Sequence, residues 1–201
     1  MQMKITSLSI AIAVFVFGGI LMVHAVNGSA GQSSQSELAQ PGKTAAVSVP
    51  SIAPRPEDVS SIDGMMKAFY EVISGPAGPP RQWSRDRTLY ISDVRFVAMK
   101  EDSKHNPQSL VMSHQQMVDR FDSELVDKGF FESEIHRRTE RFGNIAHILS
   151  TYESRNTKSG PVIDRGVNSI ELFWDGQRWW IAGAIWDEER GDNPIPKELL
   201  P

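Results

Sequence analysis

The chain has 201 residues, of which 40% are hydrophobic and 23% are charged. These proportions exclude both a wholly disordered chain and a polytopic membrane protein. The net charge is -4 and cysteine is absent, so neither a general attraction to nucleic acid nor any disulfide, thiolate metal site or cysteine nucleophile is expected.

The first 25 residues have the pattern of an export signal. Lys4 precedes an apolar run over residues 10–23, and Ala25 supplies a small residue for cleavage, which is the order of segments in a secretory signal peptide. We therefore expect residues 1–25 to be a cleaved signal peptide and the rest of the protein to be exported, either periplasmic or secreted. The alternative is a membrane anchor over residues 5–23, which is just long enough to span a bilayer.

A segment of biased composition follows the signal. Residues 26–57 are rich in serine, glycine, proline and alanine and contain no aromatic residue. Such a segment buries too little apolar surface to offset the entropy that a chain loses when it is ordered. We predict a disordered linker over residues 26–57 and one folded domain over residues 58–201.

Two helices are predicted at the start of this domain. Apolar residues recur at helical spacing over residues 60–74, and Gly75-Pro76 ends the helix. A shorter second helix is predicted because one-turn intervals separate two aromatic residues and an arginine, namely Trp83, Arg87 and Tyr90. The glycine- and proline-rich residues 75–80 are expected to form a loop between the two helices.

A strand and a third helix are predicted next. Residues 94–99 fit a first strand, and the polar residues 100–109 fit a loop. Ser113 and Gln116 have the spacing of a capping box, so the third helix is expected to begin there. It is expected to end before Gly129, because glycine is common just past the end of a helix.

Beyond Gly129 the spacing of the apolar residues changes from that of a helix to that of a strand. Four segments fit this period and are predicted to form an antiparallel meander over residues 130–142, 145–154, 165–174 and 177–187. Gly143-Asn144 and Asp175-Gly176 supply two-residue turns of the kind that favours tight hairpins. Three helices followed by a meander predict an α+β fold, in which the helices cover one curved sheet and leave a pocket beside it.

Several stretches of this domain resemble one protein superfamily. They include Tyr70-Glu-Val-Ile-Ser-Gly-Pro-Ala-Gly78, Gly129-Phe-Phe-Glu-Ser-Glu-Ile-His-Arg-Arg138 and Asp175-Gly-Gln-Arg-Trp-Trp180. With the order of elements, they resemble the nuclear transport factor 2-like (NTF2-like, SnoaL-like) superfamily, and within it a bacterial branch of uncharacterised secreted proteins. The resemblance implies a cone-shaped domain over residues 58–201, with three N-terminal helices packed on a curved, mainly antiparallel sheet, and a homodimer. It implies no particular reaction, because this fold carries enzymes, ligand binders and assembly modules.

Three residues are candidates for acid–base chemistry. Glu134 and His136 lie two positions apart on a predicted strand in which neither face is apolar, so they could act side by side as a base and the group that orients it. The alternative is an exposed strand that carries cross-strand charge pairs. Tyr70 is the third candidate, because the steroid isomerases that the chain resembles use a tyrosine hydroxyl, although no partner aspartate is evident for it.

Four residues are candidates for binding a small molecule in the pocket, namely Tyr70, Trp83, Glu171 and Trp186. The last predicted strand is apolar on both faces, so it is expected to meet the helices on one side and a second copy of the chain on the other. Its predicted faces are Trp180, Ala182, Ala184 and Trp186 on one side, and Trp179, Ile181, Gly183 and Ile185 on the other.

The remaining motifs bear on cofactors. The spacing of histidine and acidic residues does not require a metal, and no phosphate-binding loop motif is found, so neither a metal nor a cofactor is predicted. His114, at the start of the third helix, is expected at the surface.

The predicted function is an exported NTF2-like domain that binds a small apolar or amphipathic molecule in its pocket. Two alternatives stay open. One is a cyclase-, isomerase- or dehydratase-type enzyme that uses an acid–base group in the pocket, and the other is a dimerisation or protein-interaction module. The expected partners are a small-molecule ligand and a second copy bound through the sheet. No nucleic acid is expected, and a membrane is expected only through an uncleaved N-terminal segment.

Overall fold

The computed structural model of the protein describes residues 46–201. The predicted signal peptide over residues 1–25, the alternative anchor over residues 5–23 and the start of the predicted linker lie outside the described residues. Between residues 46 and 201, no helix is both long and apolar enough to cross a membrane.

Helices precede and interrupt a six-stranded sheet in this part of the chain. The helices are α1 (Pro56–Val59), α2 (Ile62–Ile73), α3 (Trp83–Arg87) and α4 (His114–Lys128), and a short 3-10 helix covers Lys197–Leu199. The strands are β1 (Tyr90–Glu101), β2 (Pro107–Met112), β3 (Phe131–Phe142), β4 (Ile145–Arg155), β5 (Asp164–Trp174) and β6 (Trp179–Glu188).

The six strands form one sheet in the order β2-β1-β6-β5-β4-β3. Neighbouring strands are antiparallel except β1 and β6, which run parallel. The helices cover one face of the sheet, here called the concave face, where Ile148, Ile170 and Ile181 are fully buried. The opposite face is called the outer face. The prediction of an α+β fold with helices packed on a curved, mainly antiparallel sheet is confirmed.

The ends of the longer helices follow the predicted signals. Ser61 accepts a hydrogen bond from the Gly64 N–H at the start of α2, and Ser113 and Gln116 form the predicted capping box at the start of α4. Gly129 follows α4 with a φ of 73°, a conformation that glycine adopts without steric cost. The caps satisfy backbone N–H groups that the first turn of a helix leaves unpaired.

Two segments around β1 differ from the prediction. The second predicted helix is α3, which ends at Arg87, and Tyr90 begins β1 instead of continuing the helix. Tyr90 is buried and its hydroxyl donates to Asp86 at 2.9 Å, so tertiary contacts override the helical spacing. Residues 107–109, the end of the predicted loop, belong instead to the edge strand β2, where a proline is tolerated because one side of an edge strand is unpaired.

The predicted faces of the last strand are wrong. Leu172 lies opposite Ile181 and Glu171 lies opposite Gly183, so Ala182 is an extra residue in β6. Such a bulge shifts the alternation of the side chains by one residue. The residues of β6 that face the helices are therefore Trp179, Ile181, Ala184 and Trp186.

The predicted linker makes contacts near its end. The Val47 N–H donates to Asp119 Oδ1 at 2.9 Å, and the Val47 carbonyl accepts from Gln115 Nε2 at 2.9 Å. Gln115 and Asp119 lie one turn apart on α4, so they hold the peptide groups of Val47 from the same side of the helix. Contacts with the folded domain therefore begin well before the predicted boundary at residue 58, and α1 itself begins at Pro56.

Gly129→Ala should lower the free energy of unfolding by about 1–3 kcal/mol. A Cβ at this position would lie 2.7 Å from the Asn156 carbonyl oxygen and 2.9 Å from the Ala77 nitrogen, and φ is positive. Urea unfolding measures the loss. Gly191→Ala is the matched control, because a Cβ there meets open space, and an equal loss in both variants would contradict the prediction.

Candidate functional site

Polar side chains interrupt the apolar surface of the concave face at its middle. Ser150 on β4 and Asn168 on β5 lie opposite each other in the sheet, and both are buried. Tyr70 of α2 places its hydroxyl 2.6 Å from Ser150 Oγ and 3.1 Å from Asn168 Nδ2. Ser150 Oγ also lies 2.6 Å from Glu134 Oε1 on β3. These four residues, here called the Tyr70 chain, join a helix to three neighbouring strands.

Hydrogen-bond chemistry determines the direction of the Tyr70 chain. Glu134 accepts from Arg137 Nε at 2.7 Å and from Arg137 Nη2 at 2.6 Å, a bidentate pair in which an ionised carboxylate can only accept. Ser150 therefore donates its one proton to Glu134 and accepts the proton of the Tyr70 hydroxyl. Asn168 in turn donates to the Tyr70 oxygen. The Tyr70 proton is committed within the protein and is not available to a ligand.

The phenol of Tyr70 also stays neutral. Burial raises the pKa of Tyr70 well above its ordinary value, and the carboxyl group of Glu132 raises it further. The hydrogen bonds with Ser150 and Asn168 lower the pKa of Tyr70 by less. Tyr70 is therefore a positioning residue in this site and neither an acid nor a base near neutral pH.

Glu132 is a carboxyl group outside the Tyr70 chain. It lies two residues before Glu134 on β3, on the same face, and is half-buried. Its backbone binds Ser74 Oγ, but no side chain between residues 46 and 201 donates a hydrogen bond to its carboxyl group. Burial, and then the carboxyl of Asp164, raise the pKa of Glu132 from 4.5 to about 8. Near neutral pH this group is mostly a neutral acid, which can both donate and accept a hydrogen bond.

Glu132 and Tyr70 line a groove between α2 and β3, here called the α2–β3 groove. Its cavity volume is about 470 Å³, which lies within the range of small-molecule sites. Met66, Tyr70 and Phe131 contribute apolar surface to it. The other lining residues are Lys67, Glu71, Ser74, Ser133, Glu134, Arg137, Arg155 and Lys158.

Two more carboxyl groups face the concave side close to Glu132. Glu132 and Asp164 lie on either side of Ser154 in one row of the sheet. Glu188 lies opposite Gly166, the next residue of β5 on the concave face. Burial is the largest cause that raises the pKa of Asp164 and of Glu188, and Asp164 adds to the rise for Glu188. Glu132, Asp164 and Glu188 are here called the acidic end of the concave face.

The predicted pair of Glu134 and His136 does not form. Glu134 lies opposite Tyr152 and His136 lies opposite Thr151, so Ile135 is an extra residue in β3. This bulge turns His136 to the outer face, whereas Glu134 faces the helices. The structure therefore places Glu134 in the Tyr70 chain and leaves His136 outside the site.

The four predicted ligand-binding residues do not converge. Tyr70 lines the groove, and Trp186 lies on the concave face, half-buried beside α4. Trp83 is buried in the helical layer, where its Nε1 donates to Asp122 at 2.5 Å. Glu171 is exposed on the outer face, so neither Trp83 nor Glu171 belongs to the site.

An aspartate–histidine pair lies in the core instead of the groove. His114 Nε2 is 2.7 Å from Asp86 Oδ2, and Tyr90 donates to the other oxygen of Asp86 at 2.9 Å. The expectation that His114 is exposed is wrong, because the first turn of α4 packs its ring against those of Tyr90 and Phe96. The pair satisfies its own polar groups inside the domain.

A group of potential metal ligands lies at the tip of the β1–β2 hairpin. Among the described residues, Glu101, His105 and Asp192 form the one set of three whose ligand atoms lie within 4.8 Å of one another. Arg190 binds Glu101 at 3.1 Å and lies 3.9 Å from Asp192. Its guanidinium group already supplies the positive charge that these carboxylates attract, so the arrangement does not fit a metal ion.

Sequence reasoning did not find Glu132, Ser150 or Asn168. A usable signal exists for two of them, because Ser150 and Asn168 occupy concave positions in strands whose other concave residues are largely apolar. A polar residue in the apolar half of an alternating strand indicates a buried hydrogen bond. Glu132 has no such signal, since β3 is charged on both faces.

No protein-family profile and no curated protein match the chain. Solved structures similar to it include a protein of unknown function with a cystatin-like fold from Nostoc punctiforme, with 6% identity, a TM-score of 0.49, and 65% of this chain and 90% of that chain covered. An NTF2-like protein of unknown function from Silicibacter pomeroyi has 12% identity and a TM-score of 0.43, with 65% and 94% covered. Another from Shewanella baltica has 12% identity and a TM-score of 0.39, with 63% and 88% covered. These likenesses concern the fold.

Glu132→Gln should flatten the pH dependence of stability. Between pH 4.5 and about pH 8 the folded protein keeps the proton of Glu132 while the unfolded chain loses it, so the free energy of unfolding falls as the pH rises through this window. One such proton contributes a slope of about 1.4 kcal/mol per pH unit. Urea unfolding at about pH 5.5 and pH 7.5 should therefore show a loss roughly 2–3 kcal/mol larger in the wild type than in Glu132→Gln.

Glu140→Gln is the control for this measurement. Glu140 lies on the same strand but is exposed, and its ion pair with Arg138 lowers its pKa, so it is already ionised throughout the window. The control should keep the wild-type slope. A wild-type slope no steeper than that of Glu132→Gln would show that the pKa of Glu132 is not raised.

Proposed function

We propose that this chain, whose fold is NTF2-like, binds a small amphipathic molecule in the α2–β3 groove. One observation carries the proposal. Glu132 is half-buried and mostly protonated near neutral pH, and it has no hydrogen-bonding side chain among the described residues. The carboxyl group lines the groove and is not cut off from solvent there, so a polar group of a ligand can replace water as its hydrogen-bond partner.

The other walls of the groove support an amphipathic ligand. Met66 and Tyr70 are buried and Phe131 is half-buried, so apolar surface lies next to the Glu132 carboxyl group. Lys158 is exposed where the groove opens to solvent. An apolar body with one polar group directed to Glu132 matches this arrangement, which is the usual composition of a small-molecule site.

A second candidate function is proton transfer, as in cyclases, isomerases or dehydratases. The pKa of Glu132, about 8, favours it, because a general acid works best when its pKa is near the ambient pH. In this scheme Glu132 would take the role predicted for His136, Glu134 or Tyr70. His136 faces the outer side, Glu134 is paired with Arg137, and the Tyr70 proton is committed to Ser150.

The binding site of phenylbutanol, a small neutral amphipathic probe, should map to the α2–β3 groove in an NMR titration. Backbone amide NMR signals within residues 66–74 and 131–137 should shift, because most of the groove-lining residues lie in these two segments. Glu132→Ala should weaken binding about five- to tenfold, the effect of one lost hydrogen bond. Glu140→Ala, on the same strand but exposed, should bind like the wild type. Shifts confined to the outer face, or none at all, would refute groove binding.

We also propose that the protein is exported and pairs with a second copy through the outer face. Support for export comes from the pattern of residues 1–25. Support for pairing comes from one apolar row across the outer face, in which neighbouring strands contribute Phe142, Ile145, Phe173 and Trp180. Phe142 is 84% exposed and Ile145 is 58% exposed. Exposed apolar surface of this kind is typical of a contact between subunits.

Replacing Phe142 and Ile145 together by serine should convert a dimer into a monomer. Light scattering after size-exclusion chromatography measures the mass, which should fall by about half because the apolar contact is lost. Val111→Ser is the control, since Val111 is exposed on the outer face but lies on the distant strand β2. A monomeric wild-type protein would refute the pairing.

A further inference from the structure

Cationic side chains outnumber carboxyl groups in the lining of the α2–β3 groove. The cations are Lys67, Arg137, Arg155 and Lys158, and the carboxyl groups are Glu71, Glu132 and Glu134. The lining therefore carries a net positive charge even when all three carboxyl groups are ionised. The other two carboxyl groups of the acidic end, Asp164 and Glu188, lie outside the lining.

Lys158 differs from the other three cations of the groove. Each of those three has a carboxylate partner, and the pairs are Lys67 with Glu71 at 3.6 Å, Arg137 with Glu134 at 2.6 Å and Arg155 with Glu153 at 2.5 Å. No residue between 46 and 201 forms an ion pair or a hydrogen bond with the ammonium group of Lys158. Its charge is therefore available to a charged group of a ligand.

Lys158 lies at the end of the groove that contains Glu132. Glu132 is opposite Ser154 in the sheet, and Lys158 follows Ser154 by four residues, in the connection between β4 and β5. The lysine side chain has a flexible four-carbon stem, so its ammonium group can approach a ligand at the opening of the groove. An available cation and a carboxyl group without a side-chain partner thus line the same part of the site.

Both groups are hydrogen-bond donors. An ammonium group has three N–H donors and no acceptor, and Glu132, whose pKa is raised to about 8, keeps an O–H donor near neutral pH. Asp164 contributes to this rise, and a bound anion would raise the pKa of Glu132 further, so the proton stays in place when an anion binds. A ligand cation, by contrast, could only donate hydrogen bonds and would be repelled by Lys158.

We infer that the polar group received by the α2–β3 groove is a carboxylate, so that the ligand is an amphipathic organic acid. The inference rests on the proposed function, because it names the chemical class of ligand for the same site. A carboxylate offers two acceptor oxygens, and its hydrogen bonds from an O–H or ammonium donor are about twice as strong as those between neutral groups. Its single negative charge matches the one available lysine, whereas a phosphate monoester carries a charge of roughly -1.5 to -2 near pH 7.

NMR titration of the full chain with two probes of one skeleton tests the inference. Phenylbutyrate carries the carboxylate, and phenylbutanol has a hydroxyl group in its place. At about pH 7 the wild type should bind phenylbutyrate about fivefold more tightly than phenylbutanol, with shifts of the backbone amide signals of residues 132–134 and 156–158. Lys158→Gln should reduce this preference to about twofold or less, and Lys158→Arg should keep it.

Lys104→Gln is the matched control for Lys158→Gln. Lys104 is also exposed, and its ammonium group forms no ion pair within residues 46–201. It lies in the turn between β1 and β2, at the edge of the sheet opposite to β3. This variant should keep the wild-type preference for phenylbutyrate.

The outcomes separate this inference from the proposed function. Equal affinities for the two probes, with shifts in the groove, would overturn the carboxylate inference and leave groove binding intact, whereas binding of neither probe would overturn both. A preference for phenylbutyrate that persists in Lys158→Gln would also overturn the inference. Lys158 is exposed and lies outside the helices and strands, so its replacement should leave the fold intact, as circular dichroism would verify.

Discussion

A polar group that is buried in a protein loses its contacts with water and needs a hydrogen-bond partner there. This requirement distinguishes two glutamates of β3, Glu134 and Glu132. Glu134 meets it with Arg137, which binds both of its oxygens, and with Ser150. Glu132 lies two residues away on the same face, has no such partner among the described residues, and keeps its proton instead. The surroundings of each glutamate, and not its residue type, therefore determine that Glu134 is bound within the protein and that Glu132 is available to bind a ligand.

The same hydrogen bonds hold the helical layer on the sheet. Tyr70 of α2 binds Ser150 and Asn168 on two neighbouring strands, so a rotation of α2 about its axis would take the Tyr70 hydroxyl away from both partners. Ser74, just past the end of α2, binds the backbone N–H and carbonyl of Glu132. Because these bonds tie α2 and the residue after it to β3, β4 and β5, the α2–β3 groove has fixed walls, as sites that are formed before their ligand arrives generally do.

Features with a local signal could be predicted from the sequence. The capping box at Ser113 and the glycine that follows α4 depend only on nearby residues, so both ends of that helix could be located. The faces of the strands could not be predicted, because the extra residues Ile135 and Ala182 leave no mark in an apolar–polar pattern and become visible only when partner strands are paired. The edge strand β2 was missed for a similar reason, since its polar residues gain order only by pairing with β1.

One of these extra residues determines the chemistry of the candidate site. In a regular strand, His136 would follow Glu134 on the concave face and Arg137 would point away from the helices. The bulge at Ile135 reverses this order, so Arg137 lies opposite Ser150 on the concave face and reaches both Glu134 and Asp63 of α2. The guanidinium group that enters the site in place of an imidazole binds both oxygens of Glu134. Glu132 is then the carboxyl group on the concave face of β3 that has no side-chain partner among the described residues. It lies beside the α2–β3 groove, where a ligand can reach it.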